Sequence, residues 1–418
     1  LHQFISLLSA SPHHLDQPAG SLPIDLSPIT TKNPAKIPAP ELPSDAPVSG
    51  TIIDRIQQVV SEYPNRLAVR SPDASMSYAQ LWARANAVAA RLQNNGVEQG
   101  DRILILTHDA IDTTIATLGV LQAGGVFVPT DHHWPTERVR KLVEAADAKV
   151  ALVSDQEQAE HYPCSCIQLN GPSQAQQPRE IEIAPDYPAY LLFTSGSTGE
   201  PRGVLQSHAA VVGHMVTFAH ALNLSTNDKL LQLSSFAFDA SIMDMFACWF
   251  TGATLCVADP RTYTPDEVAE WMTEQTMTVF HAAPSLFRWF IQSMEGRHIC
   301  NSIRSVVLGG EHATDHDIDA ILTIFPSSEL LINGFGLTES SLNMQYRVDP
   351  NAPVEWPSRL PIGYPVEGVS VRLVNDQGEP SYPTGEIEIE SDRIAVAYTS
   401  PFTSIGSPVS GKATKRFR

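Results

Sequence analysis

Apolar positions recur at helical spacing as soon as the chain leaves its first fifty residues. Ile52, Ile53, Ile56, Val59, Val60 and Tyr63 share one side of a helix, and Thr51 with Asp54 three places on is a capping-box start. A second helix is predicted from Ser77, with Gln80 in the capping position, an apolar face of Leu81, Ala85, Val88 and Leu92, and a stop at Gly96. The pattern then changes period. Short apolar runs at Ile103 to Leu106, Val126 to Val128 and Val150 to Val153 alternate with helical stretches at Ile111 to Ala123 and Thr136 to Ala146. Strands separated by helices of this length predict crossover units and a parallel sheet. The rhythm resumes after Ala189 through Val279, Val306 and Leu330, which predicts a second α/β layer. From about Pro361 it gives way to short alternating segments, Val369 to Val374 and Gly385 to Glu390, with turns at Asp376 to Gly378 and Pro383 to Gly385, the pattern of a small antiparallel sheet or barrel.

Three segments follow from this reading. Residues 1–49, dense in Pro, Ser and Ala between Pro12 and Pro47, form an interdomain linker; 50–398 form the packed core, with a small β subdomain at about 361–398; 399–418 are a tail. Composition narrows the function. In 418 residues, 27 Lys and Arg stand against 46 Asp and Glu, a net charge of −19 that repels nucleic-acid phosphates and anionic membranes. No apolar run is long enough to span a bilayer, and the opening LHQFISLLSASPHH lacks a basic leader, so a cytoplasmic location is expected. The five cysteines are scattered, and Cys164 and Cys166 have no second pair at metal-finger spacing, so neither a disulfide framework nor a zinc site is read from them.

The segment Tyr190 to Val204, YLLFTSGSTGEPRGV, runs an apolar strand into a loop of Thr, Ser and Gly. Such a loop turns successive backbone N–H groups and hydroxyls toward a phosphate chain, and glycine lets the backbone approach an anion closely. It is not the Walker pattern; Gly406 to Lys412, GSPVSGK, has that spacing but is followed by Ala413 and preceded by no strand. TSGSTGEPRG closely resembles the phosphate-loop signature of adenylate-forming enzymes, which include acyl-CoA synthetases, luciferases and the adenylation domains of nonribosomal peptide synthetases. Further blocks similar to that family follow in its order: MSYAQL at Met76, LQAGGVFVPTD at Leu121, FDASIMDMF at Phe238, NGFGLTES at Asn333 and GEIEIESDRIAVAY at Gly385. The likeness spans roughly residues 50 to 398, and FDAS resembles the peptide-synthetase branch.

The resemblance implies two α/β sheet subdomains packed together plus a small β-barrel subdomain, binding ATP, Mg²⁺ and an amino acid. It implies that Thr194, Ser195, Gly196, Ser197, Thr198 and Gly199 hold phosphates, that Thr338 touches the α-phosphate, and that Glu339 binds Mg²⁺. Phe335 would stack on adenine, and Asn333 with the turn Gly310, Glu311 would read its edge. Asp239 would hold the substrate's α-ammonium group, as suits a buried carboxylate that needs a cation; capping the following helix is a compatible role. Arg202 stands where the family usually has Lys, Phe335 where it more often has Tyr, and Leu337 where it commonly has Pro. A guanidinium is a planar fork and its phosphate geometry differs from an ammonium's.

By the same resemblance Ala240, Met243, His281, Val307, Gly309, Gly334, Leu342 and Asn343 line the side-chain pocket. The glycines leave volume, the apolar residues form walls, and His281 and Asn343 offer hydrogen bonds, although His281 reads equally as a packed imidazole satisfied by backbone. With no carboxylate there besides Asp239, a cationic side chain lacks a partner, and a mid-sized substrate with a polar neutral or weakly anionic group is expected. The family's Tyr-Arg-Thr-Gly-Asp block, hinge and Lys-bearing lid are absent from this sequence, so substrate binding with poor catalysis is expected of the chain. A phosphopantetheine-bearing carrier domain would receive the product, and the segment LHQFISLLSASPHHLDQPAGSLPIDL resembles the linker after a condensation domain. The alternatives are an acyl- or aryl-CoA synthetase-like enzyme and a non-catalytic binding module.

Overall fold

A computed structural model describes residues 50–154, 162–170, 177–195, 201–292, 294, 300–348, 358–399, 403–405, 407–408 and 415–417. The linker assigned to 1–49 lies outside them, as does most of the GSPVSGK segment. Two large sheets dominate. One has nine strands and the other eight, and a four-stranded antiparallel sheet accompanies them.

Local signals set the first elements. Helix Ile52–Glu62 starts at a capping box of Thr51 and Asp54, and helix Tyr78–Asn94 at one of Ser77 and Gln80. Each box satisfies two amides that a helix start leaves without partners. Helix Thr136–Ala146 and strand Val150–Val153 fall where the periodicity placed them.

The apolar runs are continuous because both faces of each sheet are covered. In strand Arg102–Leu106, Ile103 and Ile105 join the central core, while Leu104 and Leu106 join a separate outer cluster with Val139 and Val143 of helix Thr136–Ala146. Across the other sheet, Val279 and Val307 face the same central core, and Phe280, Val306 and Leu308 face an outer cluster with Phe287 and Phe290 of helix Pro284–Ile291. Helices Tyr78–Asn94, Ala110–Gln122, His208–Ala221 and Asp239–Thr251 fill the space between the sheets. The result is five layers: helix, sheet, helix, sheet, helix. Two of the central helices approach closely at Gly119, where an added Cβ would sit 2.7 Å from the Val88 side chain.

The nine-stranded sheet is parallel through Leu67–Arg70, Thr254–Val257, Lys229–Gln232, Val279–Ala282, Ser305–Gly309 and Leu330–Phe335, with antiparallel strands at its edges. The small β unit differs from the expected barrel. Strands Val369–Val374 and Glu386–Ser391 pair with Lys415–Phe417 and Ser407–Pro408 in an open antiparallel sheet, which has two edges and does not close on itself among the described residues. Strand Ala397–Thr399 joins the eight-stranded sheet instead, against Pro201–Ser207. Residues expected as a tail thus contribute strands to both. Among the described residues no helix is long and apolar enough to cross a membrane, and all five cysteines are free.

Candidate active site

A cavity of about 570 Å³ opens at the carboxyl ends of the parallel strands of the nine-stranded sheet. His281, Gly309 and Gly334 come from three neighbouring strands, and Ser234 and Ser235 follow a fourth. Crevices outside strand carboxyl ends are where open α/β sheets bind ligands, because there the loops are free to vary while the strands stay fixed. Ala240, Met243, Val307 and Leu342 complete the apolar wall. Seven of the eight pocket residues named from the sequence, all but Asn343, line the cavity together with Asp239. Asn343 is fully buried and its Nδ2 donates to Ser340 Oγ at 2.8 Å, so it lies off the wall.

Asp239 opens helix Asp239–Thr251 and accepts from the Ala240 amide at 2.9 Å. Burial pushes its carboxyl above the usual range and Glu339 adds to the rise, while the Ala240 amide and His281 oppose it. A carboxylate in that state is waiting for a cation. The expectation that no other carboxylate belongs to the pocket does not hold. Asp131 and Glu311 also line the cavity, and Asp244 lies directly behind His281. Glu311 is occupied at the start of helix Pro284–Ile291, accepting from the Ser285 amide at 2.9 Å and its hydroxyl at 2.8 Å. Asp131 accepts from one Arg261 nitrogen at both carboxylate oxygens, at 3.0 and 2.9 Å, and from the His133 amide at 2.9 Å. Asp131, His132 and His133 bring ligand atoms within 4.8 Å of one another. The Arg261 guanidinium already balances that carboxylate, so the cluster needs no metal ion to offset its charge.

His281 is not satisfied by backbone. Its Nδ1 lies 2.6 Å from Asp244 Oδ1, with the two side chains 6% and 1% exposed. Burial alone would lower the imidazole's pKa, but the Asp244 charge and hydrogen bond raise it. Burial raises that of Asp244. The sequence signal for this pair was a lone acid inside an otherwise apolar stretch, Ile242, Met243, Met245 and Phe246.

The glycine-rich segment joins two antiparallel strands, Pro188–Ser195 and Pro201–Ser207, rather than entering a helix; helix His208–Ala221 begins only after the second strand. Gly196, Ser197, Thr198 and Gly199, and the side chain of Ser195, lie outside the described residues. Thr194 and Arg202 face each other across the hairpin, and Thr194 Oγ1 donates to the Arg202 carbonyl at 3.3 Å. The Arg202 guanidinium sits 3.6 Å above the Tyr398 ring. Tyr398 in turn donates its hydroxyl to Glu339 Oε1 at 2.7 Å, and the buried phenol's pKa is raised by desolvation and by Glu339. Tyr398 was the last residue of a recognised block and had no assigned part; its tie to Glu339 spans 59 residues of sequence. Glu339 Oε2 has no partner among the described residues, so an oxygen is left for a hard cation such as Mg²⁺. Thr338 is half-buried beside it.

The adenine candidates separate. Gly310 and Glu311 line the cavity. Phe335 is half-buried at the end of its strand. Asn333 is buried with its Nδ2 committed to the Pro361 carbonyl at 2.8 Å. Just beyond, Gly336 allows a close turn, since a Cβ there would lie 1.7 Å from the Ser341 carbonyl oxygen.

A five-layered α/β core, a cavity at strand carboxyl ends, an unpaired acid in it and a glycine-rich hairpin beside it define a nucleotide-using enzyme of the adenylate-forming class. The chain belongs to the AMP-binding enzyme family, whose profile matches residues 56–399. It is 29% identical over 354 residues to surfactin synthase subunit 2 of Bacillus subtilis, covering 82% of this chain and 10% of that protein. It is 30% identical over 362 residues to phenyloxazoline synthase MbtB of Mycobacterium tuberculosis, covering 84% of this chain and 25% of that one. The chain therefore spans a small part of these curated relatives. Among solved structures it resembles the NpsA N-terminal subdomain of Klebsiella oxytoca in complex with 3-hydroxybenzoyl-AMSN, with a TM-score of 0.77 at 25% identity, covering 90% of this chain and 96% of that one. These relatives bear out the likeness to peptide-synthetase adenylation domains read from the motifs.

Proposed function

We propose that this chain activates an amino acid with ATP, forming an aminoacyl-adenylate and pyrophosphate. The observation that carries the reading is Asp239, a carboxylate with a raised pKa in the wall of a cavity at the strand carboxyl ends. The substrate ammonium supplies the missing counter-charge, and this fixes the amino acid with its own carboxylate free to react. One carboxylate oxygen attacks the α-phosphorus of ATP. The bond from that phosphorus to the bridging oxygen breaks, and pyrophosphate leaves with the electron pair. Catalysis of this kind consists mainly of alignment and charge stabilisation. Thr194 and Arg202 flank the glycine-rich hairpin that would hold the phosphates, and Thr338 and Glu339 approach from the loop after Phe335. Mg²⁺ would be held at Glu339 and would neutralise phosphate charge as it develops.

In the longer proteins that this chain resembles, the product would pass to a phosphopantetheine on a carrier domain, with a condensation domain as the next partner. One solved relative is an artificially fused NpsA–ThdA adenylation–PCP di-domain. Nucleic-acid and membrane partners are not proposed for a chain of net charge −19. The aryl ligand of the NpsA structure favours a second reading, activation of an aromatic acid without an amine. Such an acid would leave Asp239 unpaired. Amino-acid-dependent exchange of pyrophosphate into ATP, run beside a panel of aryl and fatty acids, decides between the two. Exchange supported by acids lacking an amine, and by no amino acid, would overturn the proposal.

A further inference from the structure

The cavity wall around His281 carries polar groups that apolar packing does not explain. His281 sits in the middle of strand Val279–Ala282, between Gln232 and Val307 on the neighbouring strands, with the Phe218 ring 5.5 Å away. None of these neighbours is charged. The titratable groups that act on His281 are Asp244 and Asp239, both from helix Asp239–Thr251. Its Nδ1 is committed to Asp244, and its Nε2 has no partner among the described residues although the ring lines the cavity. A second group repeats the pattern. Gln345 is 5% exposed, lines the same cavity, and its Nε2 also lacks a partner among the described residues. The buried Gln345 donor is costly unless a ligand supplies an oxygen, and His281 Nε2 stands open in the same wall.

We propose that Asp244 holds His281 in its charged form, so that the pocket selects an amino acid whose side chain ends in an acceptor oxygen, a carboxylate before its amide. This rests on the adenylation reading and names its substrate class. Asp244 does not line the cavity, so it acts through His281 as a positioning residue. With Nδ1–H donated to Asp244, a second proton on Nε2 turns that atom from acceptor to donor and presents it to the side chain. Gln345 adds a second donor. The negative charge of Asp239 is met separately by the α-ammonium group, so the two ends of the substrate are read by opposite charges. A cationic side chain meets the imidazolium and is rejected, and an apolar one leaves both nitrogens unpaired.

The test measures binding by calorimetry in the presence of ATP and Mg²⁺. The probes are aspartate with asparagine, glutamate with glutamine, norvaline as an isostere lacking the acceptor, and ornithine as the cation. The wild-type chain is expected to bind one of the acids roughly 10-fold or more tightly than its amide, with norvaline and ornithine weaker still. In Asp244→Asn the acid should lose roughly 10- to 100-fold in affinity while norvaline changes little. The wild-type preference for the acid should also fade as pH rises through the raised imidazole pKa, and in Asp244→Asn it should fade at lower pH. The wild-type ranking stands as evidence even if the variant does not fold. Tightest binding of norvaline or ornithine overturns the inference and leaves the adenylation reading intact, as does an Asp244→Asn protein that melts like wild type and keeps its ranking. Silence of every amino acid in calorimetry, with a protein that melts as a folded chain, overturns both.

Discussion

Replacing Asp239 with Asn separates binding from folding with an unusual sign. The substitution preserves shape, and the amide oxygen can still accept from the Ala240 N–H, so the start of helix Asp239–Thr251 keeps that bond. What disappears is a charge that the folded chain accommodates badly. The carboxyl's pKa is raised chiefly by burial, which outweighs the Ala240 amide bond and the His281 charge that lower it. A raised folded-state value means that the folded chain holds the proton more tightly than the unfolded chain, whose Asp titrates near about 3.9. Stability therefore falls as pH rises from that point to the folded-state value, and stays lower above it. Asn does not titrate, so the variant should melt at the same temperature as wild type or higher at neutral pH, with the gap closing in acid. Amino-acid binding should move the other way. Losing one partner of a desolvated charge pair costs about 2–5 kcal/mol, or roughly 30- to several-thousand-fold in affinity. Calorimetry with ATP present and thermal melting at pH 4, 5.5 and 7 measure both effects on one preparation. An Asn variant that melts several degrees lower while binding the amino acid as tightly as wild type would refute the reasoning, because the carboxylate would then be a structural cap.

Glu339→Gln should weaken nucleotide binding in the presence of Mg²⁺ and leave Mg²⁺-free binding nearly unchanged; equal loss in both titrations would point to local misfolding instead. Arg304→Gln removes the guanidinium from Asp228, which also accepts from Thr278 Oγ1 at 2.7 Å and from the Ser225 amide at 2.8 Å, and should cost about 2–3 kcal/mol after allowing for the partial exposure of Arg304. Burial alone would raise the Asp228 pKa, but Arg304 and Thr278 hold it low. This contribution is therefore present above about pH 4 and is lost as pH falls through the depressed value, so urea melts of the two proteins should converge in acid. Gly119→Val places a branched side chain where a single Cβ already comes within 2.7 Å of Val88, and a loss of about 1–3 kcal/mol in denaturant melts is expected.

What the sequence disclosed and what it concealed divide along the length of the interaction. The capping boxes of Thr51 and Ser77 and the alternation at Ile103 to Leu106 act within a few residues, and each could be read before any fold was known. The pocket positions came through family likeness, and most reached the cavity because strand carboxyl ends are fixed by the sheet. The missed groups act across the chain. Asp244 gains meaning only when strand Val279–Ala282 lies over helix Asp239–Thr251, 37 residues away in sequence, and Tyr398 only when its strand pairs with Pro201–Ser207. Asn333 and Asn343 show the opposite limit. A polar side chain in a motif reads as a ligand group, yet each Nδ2 already donates within the protein, to the Pro361 carbonyl and to Ser340 Oγ, while Asn343 Oδ1 is buried without a partner among the described residues. Alternation read equally as a small sheet or a barrel, because it does not say whether a sheet closes, and the barrel itself came from the family likeness.

The strand Ala397–Thr399 is hydrogen-bonded along the returning arm of the glycine-rich hairpin, and its central side chain holds Glu339 on one side and supports Arg202 on the other. Mechanically this makes Tyr398 a linchpin. A pull, twist or shear entering the chain next to Thr399 is carried to an acid and a base at once, with no loop between to absorb it. Motion of whatever adjoins that strand would therefore retune the spacing of the two charges together, like a tuning peg bearing on two strings.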